Sequence, residues 1–285
     1  MQTAQSLVNS SVQLVSLPDV YIRLRSVINS PNASMSDVAQ IIVHDPAITA
    51  RLLKLVNSAY FGLPSQIDTM THAINLLGTQ QVHDLVLATV VIDSFSGFSN
   101  DALNIYDFWF NSVYCAVSAR LLAYHCKGLD TERPFIAGLL RRIGHLISYH
   151  ELPAESLACA ERARQKNIPL YVAEREVLGF DYAQLGALLM REWQLPDSLQ
   201  TITEFHPEPV KALSYQKETA IVHIADAITH NALQDIPITP DTLDINPACW
   251  QITELAIENM AALKIEVDQQ ASSVMNLLFS HKKSA

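Results

Sequence analysis

The sequence predicts an all-α fold, and three observations predict it. Apolar residues recur at helical spacing along most of the 285 residues. Capping residues stand where those periodic stretches begin and stop. No Asn-Gly or Asp-Gly turn flanked by alternating apolar residues is present, so nothing marks a β-hairpin.

The elements follow in order. Ser34 with Asp37 has the form of a capping box, and Val38, Ile41 and Ile42 follow at helical spacing. Asp45 is placed to cap a second helix with Pro46 in its first turn, and Ile48, Leu52 and Leu55 line one face of it. Asn57 is placed to cap backbone groups at the end of this helix, and Tyr60 and Phe61 are expected to plug the junction between the lobes, a partner-binding patch being the alternative. Gly78 is expected to end a short helix in a left-handed conformation and Thr79 to cap the next, which Val82, Leu85, Val86 and Thr89 continue. Gly179 reads as a stop and Asp181 as a start before Leu185, Leu188 and Leu189. Leu195-Pro196 opens a further helix, and Gln234 to Asn246, with Pro237 and Pro240, reads as a loop. About a dozen helices are expected by this count.

The span Ser94 to Asp101 is the best candidate boundary. It divides an amino-terminal helical lobe, residues 1–97, from a larger lobe, residues 98–285. It is too short for a free linker, so the two lobes are expected to pack into one unit.

Composition narrows the function classes. The chain is 49% hydrophobic and 17% charged, ordinary for a soluble globular protein. A net charge of -10 opposes phosphate backbones, so no nucleic-acid partner is expected. Met35 to Ser58 has the outline of a helix-turn-helix. Its second helix offers only Arg51 and Lys54, so two packed helices is the better reading. No apolar run reaches membrane-span length, and the first basic residue is Arg23, so neither a membrane partner nor a signal peptide is expected. Cys115, Cys126, Cys159 and Cys249 have no Cys-x-x-Cys spacing and read as buried free thiols of a cytoplasmic protein. No nucleophile elbow, phosphate loop or dinucleotide fingerprint occurs.

Several strings, taken together and in order, resemble the HDOD family, the HD-related output domains of bacterial signalling proteins. They are LPDVYIRLRSVINSP (17–31), HDPAITARLLKLVNSAYFG (44–62), AINLLG (73–78), FWFNS (108–112), FIAGLLRRIGHL (135–146), EVLGFDYAQLGALLMREWQLP (176–196) and EFHPEP (204–209). The resemblance runs from about residue 14 to 210, and Ile221 to His230 is similar to the last helix of the wider HD superfamily. It implies two packed helical lobes, the second an HD-domain-like helical bundle.

In active members of that superfamily a His, a His-Asp pair and a distant Asp hold divalent metal, which lowers the pKa of a bound water and clamps a phosphate. By resemblance these positions fall on Asn111, on Arg141 and Arg142, and on Asp226. Phe205-His206 stands where some members carry His-His, and Asp181-Tyr182 where others carry Asp-His. Only the last carboxylate is kept. A guanidinium has no lone pair to give a cation, and two of them repel it.

The arginines leave three readings open: one pairs with Asp226 in place of the metal, both bind an anion such as a nucleotide phosphate, or both face solvent. The candidate pocket is therefore Asn111, Arg141, Arg142, His206 and Asp226, with no catalytic residue, metal or cofactor expected. The alternative is a metal-dependent phosphohydrolase with a rearranged site on His206, His223, Asp226 and His230, three of which recur at helical spacing. Ile221, Ile224 and Ile228 on that helix favour a satisfied structural cluster. The resemblance implies a non-catalytic bacterial signalling module that binds a signalling protein or a small ligand.

Overall fold

In the computed structural model the described residues are 3–12, 16–30, 34–58, 66–95, 98, 103–256 and 260–279, and among them there is no strand. Tyr60 and Phe61 lie outside them. The chain divides into two compact units, residues 1–15 with 97–267 and residues 16–96 with 268–285. The sequence boundary drawn near residue 97 coincides with one crossing, but each terminal segment joins the unit it does not adjoin in sequence. The reason for the first is plain: α1 (Ala4–Val12) buries Leu7 and Val8 in the larger unit.

The smaller unit contains α2 (Asp19–Ile28), α3 (Met35–Val43), α4 (Pro46–Val56), α5 (Met70–Leu77) and α6 (Thr79–Ser94). Its caps are local and legible. Ser34 and Asp37 form the capping box, and Asp45 accepts from the amides of Ala47 and Ile48. Asn57 goes further than a cap: its side chain donates to the carbonyls of Leu53 and Ile67 and accepts from the amide of Ile67. Gly78, with φ 86° and ψ 160°, serves as both the end of α5 and the cap of α6, so Thr79 is the first helical residue and not the cap. Arg51 is tied to Asp93 at 2.5 Å and is mostly buried, which takes one of the two cations off the face a DNA reader would use.

The larger unit continues with α7 (Ile105–Tyr124), α8 (Glu132–Leu140), α9 (Ile143–Glu151), α10 (Pro153–Lys166), α11 (Leu170–Leu178), α12 (Tyr182–Glu192), α13 (Asp197–Phe205), a 3-10 turn at Pro209–Lys211, α14 (Gln216–Leu233) and α15 (Ala248–Thr253). The last described helix is α16 (Met260–Phe279). More helices form than the dozen expected. One reason is a break at Arg141–Arg142, where Arg142 takes φ -105° and ψ 13° and divides one apolar run into α8 and α9.

α7, α8 and α14 form the heart of this unit. α8 is buried from Pro134 to Leu140, and α14 contributes Ile221, Ile224, Ala225 and Ile228, none of them accessible. Burying an aliphatic side chain of this size contributes about 1.5–3 kcal/mol. α9, α12 and α13 pack beside them. Asp181 caps α12 through a box with Gln184, after Gly179 ends α11 at φ 83°. The proline loop after α14 is held by Asn231, which donates to the carbonyls of Pro237 and Thr242. The four cysteines are free and buried.

Candidate functional site

The residues that the resemblance puts at metal positions do converge. α7 supplies Asn111, the α8–α9 break supplies Arg141 and Arg142, and α14 supplies Asp226. Because the helix breaks between the two arginines, their side chains leave the backbone in different settings. Arg141 is wholly inaccessible to solvent, whereas Arg142 is half-buried.

Arg141 is saturated. Its Nε lies 2.6 Å and its Nη2 2.5 Å from Oδ1 of Asp226; Nη1 donates to the carbonyl of Gly138 at 2.9 Å, and Nη2 to Oδ1 of Asn111 at 2.6 Å. This ends the solvent reading for Arg141 and settles which arginine pairs with the carboxylate. Burial alone would raise the pKa of Asp226, but Arg141 first, then Arg142, hold it below the usual carboxylate range. Arg142 is different. Its Nη1 reaches Oδ1 of Asn111 only at 3.4 Å, its Nε makes no hydrogen bond, and its guanidinium stands 5.7 Å above the ring of Tyr182.

His206 lies beside this cluster, within electrostatic reach of Asp226 and Arg141. Its Nδ1 lies 2.8 Å from the carbonyl of Thr203 and so carries the proton; its Nε2 lone pair accepts from the Tyr182 hydroxyl at 3.1 Å. Burial pushes its pKa down to about 3, against the pull of Asp226. His206 is neutral with both nitrogens satisfied.

The four residues weighed as a rearranged metal set do not share a centre. His223 donates from Nδ1 to the carbonyl of His206 at 2.8 Å, and its Nε2 accepts from the amide of Asn246 at 3.1 Å. Neither ring keeps a lone pair for a cation. His230 is exposed on α14, and among the described residues no three His, Cys, Asp or Glu side chains are grouped to hold a metal ion.

Two neighbours escaped the sequence reading. His145 packs its ring 4.0 Å from that of Tyr182, with Nε2 3.2 Å from Oε1 of Glu174. Burial lowers its pKa, with Glu174 opposing. Glu174, also buried, accepts from the backbone amide of Tyr182 through Oε2 at 2.8 Å. The only sequence signal for His145 was its place three residues after Arg142, one turn along the new helix. Gly144 brings α9 and α12 together, since a Cβ there would lie 2.0 Å from the carbonyl oxygen of Tyr182.

The arrangement can hold charge and accept or donate hydrogen bonds; Asp226, the carboxylate nearest its centre, is engaged by a cation. Against known proteins, the model of the HDOD domain matches residues 14–209. The crystal structure of the "putative phosphohydrolase" of Shewanella amazonensis SB2B is 26% identical, with a TM-score of 0.76, over 96% of this chain and 98% of that one. That of an HDOD domain protein with unknown function from Geobacter sulfurreducens is 20% identical, with a TM-score of 0.72, over 97% of each. A curated relative in Treponema pallidum, itself uncharacterized, is 24% identical over 217 residues, 74% of this chain; the chain spans 42% of that relative's length.

Proposed function

The chain belongs to the HDOD family, and from that premise we propose that it is a non-catalytic bacterial signal-transduction module that works by binding a protein or a small ligand in the cytoplasm. The observation that carries the proposal is the guanidinium of Arg141, held between Asn111 and Asp226 where a catalytic HD domain holds its cation. A charged group fixed by four short contacts cannot yield its place to a divalent ion without leaving a carboxylate uncompensated.

Water activation needs a metal or a base near neutral pKa. His206, His223 and His145 are all pushed towards the neutral form by burial, and the lone pairs of the first two are taken by donors from the protein. This weighs against the phosphohydrolase alternative. No described helix is long and apolar enough to cross a membrane.

The test is turnover by the purified chain. Bis(p-nitrophenyl) phosphate, p-nitrophenyl phosphate and cyclic dinucleotides, each with Mn²⁺ or Mg²⁺, are expected to go unhydrolysed above the metal-only background. Hydrolysis that is lost in Asp226→Asn would overturn the proposal.

A further inference from the structure

Arg142 and Asn111 each present donors that the protein leaves without an acceptor. Asn111 accepts through Oδ1 from both arginines, which fixes the orientation of its amide and turns Nδ2 away from them. Nδ2 makes no hydrogen bond to a described residue. On Arg142, Nε is inaccessible and has no partner, Nη1 makes only the 3.4 Å contact to an oxygen that Arg141 already holds at 2.6 Å, and no described carboxylate forms an ion pair with it. A desolvated guanidinium with unmet donors is costly unless an acceptor arrives.

The surrounding charges leave room for one. Asp226 is neutralised by Arg141. Glu174 is turned towards His145 and the amide of Tyr182. His206 and Tyr182 are neutral and hydrogen-bonded to each other. Asn111, Arg142 and Asp226 are all partly exposed, and Arg142 Nη2 and Asn111 Nδ2 are not among the enclosed atoms, as Nε is, while the face of Arg142 is steadied on Tyr182.

We infer that Arg142, through Nη2, and Asn111, through Nδ2, form a binding site for the phosphoryl group of a small phosphorylated ligand. Four N–H groups on these two nitrogens suit a tetrahedral oxyanion with three free oxygens better than a planar carboxylate with two. This rests on the proposed binding role of the same pocket and names the chemistry of what it binds.

Calorimetric titration of the full chain at low salt, with inorganic phosphate, AMP and acetate as separate probes, tests it. Phosphate and AMP are expected to bind saturably and acetate at least roughly tenfold more weakly. Arg142→Gln is expected to lose at least roughly tenfold in phosphate affinity while its circular dichroism and melting stay those of the parent, because the side chain makes few contacts to lose. Arg142→Lys, which keeps the charge but not the fork, is expected to fall between. Should Arg142→Gln not fold, the Nε–H resonance of Arg142 in the unaltered protein must shift on adding phosphate. Absence of saturable uptake of phosphate and AMP at about 10 mM, equal binding by the parent and Arg142→Gln, or equal uptake of acetate would each overturn the site. The outcome is separate from the hydrolysis test: a protein that hydrolyses nothing and binds no phosphate loses this inference and keeps the non-catalytic reading.

Discussion

Arg141 and Asp226, 85 positions apart in sequence, meet through two guanidinium nitrogens on one carboxylate oxygen, at 2.6 and 2.5 Å. In the function proposed above, this fixed side-chain cation stands in for a metal ion. It joins α8 to α14 at the centre of the larger unit, so its loss is felt by the fold before it is felt by any ligand.

Arg141→Ala is therefore expected to cost about 3 kcal/mol, the lower end of what breaking a buried pair costs, because the Asp226 side chain keeps 31% of its exposure. Urea denaturation midpoints at pH 7 check this. Equal midpoints for parent and variant would remove the charge-substitution reading.

Acid should unfold the protein in two stages. His206 has a folded pKa of about 3, below its unfolded value near 6.5, so the unfolded chain binds the extra proton first. The contribution of its neutral form is present above pH 6.5 and is lost at about 1.4 kcal/mol per pH unit as pH falls from there towards 3. His145 and His223 are shifted the same way and add to the slope. Asp226, whose folded pKa is depressed, contributes stability above its unfolded pKa near 3.9 that is lost only below it. Stability measured from pH 7 to 4 should fall steadily, and His206→Gln should flatten the slope; parallel slopes would refute the neutral assignment.

Restoring the ligand types should restore the ion. The triple variant Asn111→His, Arg141→His, Arg142→Asp places two imidazoles and a carboxylate around Asp226 on elements that already converge. It is expected to bind about one equivalent of Mn²⁺ by titration, where the parent binds none tightly. A folded triple variant without metal affinity would show that the positions carried over from the superfamily are not the former ligand positions.

Gly144→Ala is expected to destabilise by about 3 kcal/mol or more, since the new methyl would lie 2.0 Å from the backbone oxygen of Tyr182 and backbone does not swing aside. Thermal melting checks it. A near-normal melting point would mean that α9 and α12 separate easily.

Much of this was legible in the chain and some was not, for a physical reason in each case. The box at Ser34, the helix start at Asp181 and the cap at Asp45 were readable because each involves residues two or three apart. That Asn111, Arg141, Arg142, His206 and Asp226 were singled out together rested on the order of the flanking family strings, since their own types, Asp226 apart, depart from the family. Which arginine would reach Asp226 was not, since that depends on the angle at which the helix breaks between them. The attachment of residues 1–15 to the larger unit, and the stacking of His145 on Tyr182, depend on packing between distant segments that no local pattern encodes.

The buried thiols have a practical consequence. Cys115 is fully enclosed near the Arg141–Asp226 pair, and burial pushes its thiol pKa up to about 12. At pH 8 an alkylating reagent can modify it only after α7 and α14 come apart, so the rate of labelling at that position, read by peptide mass, is a clock for the opening of the protein's interior.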